Sequence, residues 1–301
     1  MDLVLAATDA GLVSLGGSSP RLDRPVTALA GTGRRPWALT ADGGIWRRDR
    51  REWGSVVEID GLRPNCVLPV GDDTAYVGTS EAHLLRVRIG EDQRVTVDQL
   101  RSFDRADGRS YWYTPWGGPP DVRSLSADAA GTLYANVHVG GILRSDDDGE
   151  TWVPTMDIHE DVHQVLAHPD DPEQVAAATA NGLAMSYDAG ATWQTTAEGL
   201  EGTYCRAVAF TRHGTLVSAS EGHHGRGAAL YRSGLETFAR CVDGLPESFS
   251  DNIDTGCLVA QRNDAAFGTS DGDVFLSRDG GESWEQMAEG LGPIRAVQLA
   301  G

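Results

Sequence analysis

Lysine is absent from this chain of 301 residues, so all 25 basic side chains are arginines. Acidic residues number 44, and the formal net charge at pH 7 is −19. A surface this acidic repels the phosphate backbone of nucleic acids. We therefore expect no nucleic-acid partner, and a small anion, a glycan or a partner protein remains as the ligand to look for.

Long hydrophobic runs are also missing. No stretch approaches the roughly 20 apolar residues that span a bilayer, and the first residues lack the basic segment and apolar run of a signal peptide. The four cysteines show neither CxxC nor zinc-type spacing, which favours free, buried thiols. These absences predict a cytoplasmic protein with no membrane attachment.

Glycine is abundant, at 37 residues, and an eight-residue motif recurs between the glycine-rich turns. Three copies fit the pattern S-x-D-x-G-x-[TS]-W, at residues 145–152, 186–193 and 277–284. Trp152 and Trp193, which end the first two copies, are 41 residues apart, and a degenerate copy ends at Phe238. A period of about 40–45 residues filled with short β segments is typical of a four-stranded propeller blade.

The pattern predicts an all-β chain that forms a single closed β-propeller over residues 1–301. Repeat units at 25–61 and 64–100 precede the motif-bearing ones, which gives seven four-stranded blades, or six if the weak third unit at 64–100 is misread. Segment 3–14 supplies the second and third strands of a blade, and segment 294–300 supplies its first strand. The two ends of the chain therefore share one blade, which closes the ring and leaves no open sheet edge there.

The motif copies resemble the Asp-box, or bacterial-neuraminidase, repeats of sialidases, sortilin-type receptors and photosystem assembly factors of propeller form. The resemblance covers nearly the whole chain and implies a β-propeller, but it implies no single activity, because this fold carries unrelated functions. Sialidases bind the carboxylate of their substrate with three arginines. The Arg-Ile-Pro signature of that family is missing here, and no tyrosine nucleophile with a glutamate partner can be assigned, so a conventional sialidase is not expected.

The motif itself is predicted to be structural. Its aspartates, Asp147, Asp188 and Asp279, can accept backbone N–H groups across a tight hairpin between the third and fourth strands, where glycine supplies a positive φ. This hairpin lies on the face opposite the turns that join second and third strands. Propeller ligands usually meet the latter face, so the candidate functional residues are sought there.

Polar side chains converge on that ligand face. The starts of first strands contribute Arg123, Asp161, His163, Arg206, Asp254 and Arg295, and the second-to-third turns contribute Asp9, Asp42, Glu81, His138, Asn181, Glu221, His223, His224 and Asp271. Polar residues of this kind are expected at the mouth of any propeller channel. Three groups stand out as candidates for ligand binding, and each has a plainer alternative.

Three arginines form the first group. Arg123, Arg206 and Arg295 together could bind a carboxylate or another anion through bidentate hydrogen bonds. The second group consists of imidazole and carboxylate ligands suited to a divalent metal. Its members are His138, His163, Glu221, His223 and His224, for which solvated loop histidines are the alternative.

The third group belongs to an insertion at about 101–120, between the third and fourth repeat units. Trp112 and Trp116 lie in an aromatic stretch that could stack on sugars or anchor a partner, unless the loop simply covers the ring.

Two functions follow from these groups. The first is a binding scaffold that recognises a small anion, a glycan or a partner protein at the polar mouth of the channel. The alternative is a carbohydrate-active enzyme, a glycoside hydrolase or lyase acting on an acidic sugar. Asp161 and Glu221 are the candidate acid–base pair for that chemistry, which requires two carboxyls about 5–10 Å apart.

Overall fold

The computed structural model describes residues 4–17, 21–31, 35–49, 52–234 and 237–299. These residues form seven antiparallel sheets in a ring, so the chain is a seven-bladed β-propeller. Leu3 and Ala300 of the predicted shared blade, and Leu235 and Glu236 of the degenerate motif copy, lie outside the described residues. None of the helical segments in the described part of the chain has the length and apolarity that crossing a bilayer requires.

We number the blades I to VII in chain order. Blade I contains β1 (Val4–Thr8), β2 (Gly11–Leu15) and, from the other end of the chain, β27 (Ile294–Leu299). Blade II contains β3 (Val26–Ala30), β4 (Trp37–Thr40), β5 (Gly44–Asp49) and β6 (Glu52–Glu58). Blade III contains β7 (Pro64–Pro69), β8 (Thr74–Thr79), β9 (Leu84–Ile89) and β10 (Val95–Gln99). The third unit is therefore a complete blade, which rules out the six-bladed count.

Three of the remaining blades contain a copy of the repeat motif, and blade VI contains the degenerate copy. Blade IV consists of β11 (Val122–Ala127), β12 (Leu133–Val137), β13 (Gly141–Ser145) and β14 (Val153–Pro154). Blade V consists of β15 (Val162–Ala167), β16 (Val175–Thr179), β17 (Gly182–Ser186) and β18 (Gln194–Thr196). Blade VI consists of β19 (Tyr204–Thr211), β20 (Gly214–Ser220), β21 (Ala229–Ser233) and β22 (Phe238–Arg240). Blade VII consists of β23 (Leu258–Gln261), β24 (Asp264–Gly268), β25 (Val274–Ser277) and β26 (Glu285–Ala288).

The termini share blade I, as predicted. Strand β27 is its inner strand and pairs antiparallel with β1, Val4 opposite Leu299 and Ala6 opposite Val297. The second strands of the blades are buried on both faces, and β16, with the sequence Val-Ala-Ala-Ala-Thr, is buried at all five positions. Small side chains allow neighbouring blades to approach closely, so the apolar core lies between blades rather than in one centre.

The three motif copies form the same hairpin, which we call the repeat hairpin. In the copy at 186–193, the hydroxyl of Ser186 accepts the N–H of Gly190 at 2.8 Å, and the carboxylate of Asp188 accepts the N–H and the hydroxyl of Thr192 at 2.8 and 2.6 Å. The copies at 145–152 and 277–284 repeat these bonds. Ala189 and Gly190 both have positive φ, at 55° and 85°, so the tip is left-handed at two successive residues. The predicted structural role of the aspartates is confirmed.

Each repeat hairpin in blades IV and V also connects its blade to the preceding one. The hydroxyl of Tyr76 in blade III donates to the carbonyl of Asp148 at 3.0 Å, and that of Tyr134 in blade IV donates to the carbonyl of Ala189 at 3.1 Å. The accepting carbonyls belong to the positive-φ residues of the hairpin tips. The motif therefore orders the ring between blades as well as within one blade.

These hairpins predict a loss of stability in acid. Hydrogen bonds from Thr192 lower the pKa of Asp188 to about 2, and in Asp279 burial raises the pKa but hydrogen bonds from Ser283 outweigh it and lower it to about 2. Because both pKa values lie below the ordinary 3.8, this contribution is complete above about pH 4 and is lost as the pH falls towards 2. We expect the melting temperature of wild type to fall over this range more steeply than that of the double variant Asp188→Asn/Asp279→Asn. Parallel curves in thermal melts followed by circular dichroism would contradict this expectation.

Candidate functional site

The predicted site residues lie on one face of the ring, which we call the mouth. It consists of the starts of the inner strands and the turns between second and third strands. Arg123, His163 and Arg295 are the second residues of β11, β15 and β27, Arg206 is the third residue of β19, and His138 lies in the turn between β12 and β13. The antiparallel order of each blade therefore places these side chains at the same end of the channel.

A loop before β23 crosses the centre of the mouth. The hydroxyl of Thr255 lies 3.0 Å from the carbonyl oxygens of both His163 and Arg206, which belong to blades V and VI. Oδ1 of Asp254 accepts hydrogen bonds from Nε and Nη2 of Arg206 at 3.0 and 2.7 Å, and from Nη2 of Arg123 in blade IV at 3.2 Å. This loop thus connects three blades, and it places one carboxylate between two of the three candidate arginines.

Each candidate arginine has a carboxylate partner within the protein. Burial raises the pKa of Asp254, but the charges of Arg123 and Arg206 outweigh it and hold this pKa at about 2, so the carboxylate stays ionised. Arg295 forms a two-point pair with Asp9, with Nε and Nη2 at 2.9 and 2.7 Å from the two carboxylate oxygens. An anionic ligand would have to compete with these carboxylates, so the three arginines do not form an open anion site.

A buried cluster lies beside Arg123. Oδ1 of Asp161 is 3.3 Å from Nε2 of His138 and 3.3 Å from Nε2 of His163. His163 is fully buried and its Nδ1 donates to the carbonyl of Cys205 at 2.5 Å, while His138 is 2% exposed and its Nδ1 faces Oδ1 of Asp121 at 3.5 Å. Among the described residues, Oδ1 of Asp161 and Nε2 of His163 are buried without a hydrogen-bond partner.

The charge states of this cluster differ between its two histidines. Burial lowers the pKa of His163, and the nearby Arg123 and Arg206 lower it further. Burial also acts against protonation of His138, but the carboxylates of Asp121 and Asp161 outweigh it and raise the pKa. Burial raises the pKa of Asp161, yet the two histidines hold it well below its ordinary range. Asp161 is therefore an ionised acceptor and is not arranged as a general acid, which would need a raised pKa.

The other predicted metal ligands do not join this cluster. Glu221 forms an ion pair with Arg226 in the turn between β20 and β21, where His223 and His224 are exposed and stack at 3.8 Å between ring centroids. Within the described residues, His138, Asp161 and His163 form the group whose ligand atoms lie within 4.8 Å of one another. Glu221 and Asp161 thus have separate partners, and nothing in their contacts couples them as an acid–base pair.

The insertion provides both core and surface. Trp112 is only 6% exposed and packs on Phe103 at 5.5 Å between ring centroids, so it covers the ring rather than offering a stacking face. Trp116 is 71% exposed, and its ring meets His138 edge-on at 5.1 Å. Tyr111 and Tyr113 on the same insertion are 66% and 43% exposed. The insertion therefore presents three accessible aromatic rings, and one of them, that of Trp116, contacts a residue of the mouth.

Two cavities border this site. One of about 230 Å³ lies in the mouth and contains Arg206, His223, Asp254 and Arg295 among its lining residues. The other, of about 340 Å³, follows the inner strands and is lined largely by small apolar side chains, with Arg123, Thr255 and Arg295 among its lining residues. The first is smaller than the roughly 300–1,000 Å³ of most drug-sized ligand pockets, and the second lies near the lower end of that range.

Sequence reasoning missed three residues of the site. Asp121 was noted only as the end of the insertion, Thr255 has no motif, and the ring of Tyr204 packs on His163 at 4.6 Å while its hydroxyl accepts from Arg206. The sequence position of Asp121 and Tyr204 could have indicated both residues. Each lies two residues before a predicted arginine at the start of an inner strand, where side chains face the mouth. The reach of Thr255 across two blades had no such signal, because it depends on the path of a loop.

Comparison with solved structures supports the fold. The chain superposes on a GH74 xyloglucanase from Xanthomonas campestris with a TM-score of 0.60 and 15% identity over 95% of this chain and 46% of that one. It superposes on "YCF48 bound to D1 peptide" with a TM-score of 0.58 and 14% identity over 92% of this chain and 87% of that one. An extracellular domain of a putative hybrid two-component system of B. thetaiotaomicron gives 0.61 and 13% over 98% and 37%.

These likenesses define the class of protein and no more. All three identities are below 25%, so these likenesses support the fold alone. The neighbours with this propeller fold include a glycoside hydrolase and a protein bound to a peptide. The chain spans less than half the length of the xyloglucanase chain it matches. No family model matches the sequence, and no curated protein matches it either.

Proposed function

We propose that this propeller is a binding scaffold that holds an extended, positively charged segment of a partner protein across its mouth. The observation that carries the proposal is Trp116, a large aromatic ring left 71% exposed and fixed at the rim of the mouth by its contact with His138. Exposed tryptophan and tyrosine at one edge of a polar cleft are frequent anchors of protein partners. Tyr111 and Tyr113 extend this aromatic edge along the insertion.

The charge of the mouth favours a cationic segment. Arg123, Arg206 and Arg295 are paired with Asp254 and Asp9, as described above. Four more carboxylates of the mouth pair with no arginine in the described part of the chain: Asp121, Asp161, Asp251 and Asp271. The net excess is negative, which matches the overall charge of −19 and steers basic partners towards this face.

Two further features support this proposal. A peptide-bound protein, "YCF48 bound to D1 peptide", has the same fold over 92% of this chain. The cysteines of this chain are free, and burial raises the pKa of Cys66 and Cys205 to about 12, so these thiols are unreactive. Free thiols suit a reducing compartment, and we propose the cytoplasm as the location.

The test is selection of binders from a random peptide library, followed by titration of the selected peptides. We expect enrichment of sequences that combine arginine or lysine with an apolar residue. Trp116→Ala should weaken their binding about 30-fold, the effect of losing an anchor worth about 2 kcal/mol. Tyr187→Ala is the matched control, because Tyr187 is 60% exposed but lies in a repeat hairpin away from the mouth.

Two outcomes would overturn the proposal. One is enrichment of acidic or unrelated peptides whose binding is insensitive to Trp116→Ala. The other is a library that yields no binders, combined with specific binding on a glycan array. That result would identify sugars as the ligands of the mouth and favour the hydrolase or lyase alternative.

A further inference from the structure

The strongest unexplained feature of the described residues is a pair of buried polar atoms that have no hydrogen-bond partner among them. Nε2 of His163 and Oδ1 of Asp161 lie 3.3 Å apart without forming a hydrogen bond, although His163 has no exposed surface. Buried polar groups are nearly always satisfied, and an unsatisfied one in a native site indicates an ion, a water or strain. The reason for this pair lies in the tautomer of His163.

The second nitrogen of His163 fixes that tautomer. Nδ1 lies 2.5 Å from the carbonyl oxygen of Cys205, and a carbonyl only accepts, so Nδ1 carries the proton. In the neutral ring Nε2 then has a lone pair, and it lies 3.3 Å from the carboxylate oxygen of Asp161. Two acceptors at 3.3 Å repel one another unless a cation lies between them. A backbone carbonyl bound to the outer nitrogen is also the usual arrangement around a metal-bound histidine.

His138 completes a set of three ligands. Its Nε2 is 3.3 Å from the same oxygen of Asp161, and its Nδ1 faces a second carboxylate, that of Asp121. Nη1 of Arg123 lies 3.1–3.2 Å from both ring nitrogens of His138. A group almost equidistant from both nitrogens lies over the ring face, so Arg123 does not occupy the in-plane position of Nε2.

Two of the three distances between the ligand atoms fit a small ion, and the third, between Nε2 of His138 and Nε2 of His163, is within 4.8 Å. Ligands about 2.0–2.1 Å from a tetrahedral metal are separated by about 3.3 Å, which is the value of both contacts to Asp161. The charges also allow a divalent ion, because the carboxylates of Asp121, Asp161 and Asp254 outnumber the guanidinium groups of Arg123 and Arg206 in this region.

We propose that His138, Asp161 and His163 bind one divalent transition-metal ion through Nε2, Oδ1 and Nε2. Two imidazoles and one carboxylate suit Zn²⁺, Co²⁺ or Fe²⁺ better than Ca²⁺ or Mg²⁺, which prefer oxygen ligands. Three protein ligands leave at least one coordination position for water or for a group of a bound partner. The set shares two histidines with the group predicted from sequence, and Asp161 takes the place of Glu221, His223 and His224.

The test is a calorimetric titration of Zn²⁺ alone into the untagged chain, from which metals have first been removed with a chelator. We expect one equivalent to bind, and a single Co²⁺ to give the visible absorption of a site with nitrogen and oxygen ligands. His163→Ala and the isosteric Asp161→Asn should each weaken Zn²⁺ binding at least tenfold. Asp121→Asn, which removes the carboxylate facing the outer nitrogen of His138, should weaken it by about 10-fold or more.

The control variant is His223→Ala/His224→Ala, which removes the exposed histidine pair and should leave the single equivalent unchanged. If His163→Ala fails to fold by circular dichroism, the two asparagine variants decide the question. Absence of Zn²⁺ binding to wild type at micromolar concentration overturns the proposal, and so does binding that survives Asp161→Asn but disappears in the His223/His224 variant. The two tests can be told apart, because no step of the titration uses a peptide and no variant changes Trp116.

Discussion

Replacing Asp254 by asparagine is expected to lower the free energy of unfolding by about 2 kcal/mol. The carboxylate accepts three hydrogen bonds from Arg206 and Arg123, whose side chains are only 15% and 16% exposed. Removing one partner of a buried ion pair costs about 3–5 kcal/mol, and we reduce this because the side chain of Asp254 itself is 48% exposed. Two neighbouring guanidinium groups then remain without a counter-charge. Urea unfolding followed by tryptophan fluorescence measures the difference.

The matched control is Asp9→Asn, which removes the partner of Arg295. Both side chains of that pair are about half exposed, so its loss should cost less than about 1 kcal/mol. The effect of Asp254 should also depend on pH. Its pKa of about 2 lies below the ordinary 3.8, so the stabilisation is present above about pH 4 and disappears as the pH falls towards 2. The melting temperatures of wild type and Asp254→Asn should therefore converge in acid, and a constant gap would contradict the role assigned to this carboxylate.

The sequence was sufficient to predict the ring because the repeat is local. Each blade except blade I is built from contacts within about 40 residues, and the spacing of Trp152 and Trp193 reports this period directly. The blades without a motif copy were located by counting outward from these positions. The shared blade followed from an incomplete unit at each end, and the pairing of Val4 with Leu299 confirms it.

For the site, the sequence predicted which face of the ring each residue occupies, but not which residues contact one another. Their position at the starts of first strands places Arg123, Arg206 and Arg295 on the mouth, but only the path of the 251–256 loop brings Asp254 between two of them. In the same way, nothing in the local sequence distinguishes the buried Trp112 from the exposed Trp116 four residues later. Which ring is buried depends on Phe103 at the start of the insertion, whose burial the aromatic stretch itself does not indicate.

The same distinction explains the histidines. His138 comes from a turn of blade IV and His163 from the start of β15 in blade V, and they converge because these blades are neighbours. His223 and His224 lie one blade further round the ring in an exposed turn. A sequence pattern gives the ring position of a side chain but not its distance from the channel axis. Burial separates the two pairs, and only packing between blades determines burial.

Replacing Val297 by aspartate is expected to have the largest effect of any single change proposed for this chain, about 4 kcal/mol or more. Val297 is 2% exposed on β27, opposite Ala6 of β1, and packs in the apolar cluster that contains Phe267. A carboxylate there is buried without a partner, which is among the most destabilising substitutions known. The damage falls on the strand that joins the two ends of the chain, so β1 would become an open edge prone to pairing with other molecules.

Arg295→Ala supplies the control on the same strand, because Arg295 is 48% exposed and its pair with Asp9 lies at the surface. We expect it to cost less than about 1 kcal/mol and to leave the chain monodisperse in size-exclusion chromatography. Val297→Asp should instead produce unfolded or aggregated protein at room temperature. If that variant remained folded with a melting temperature close to that of wild type, the pairing of β27 with β1 would not be what holds the ring closed. In that case the packing of blade I against its neighbours, blades II and VII, would have to be sufficient to close the ring.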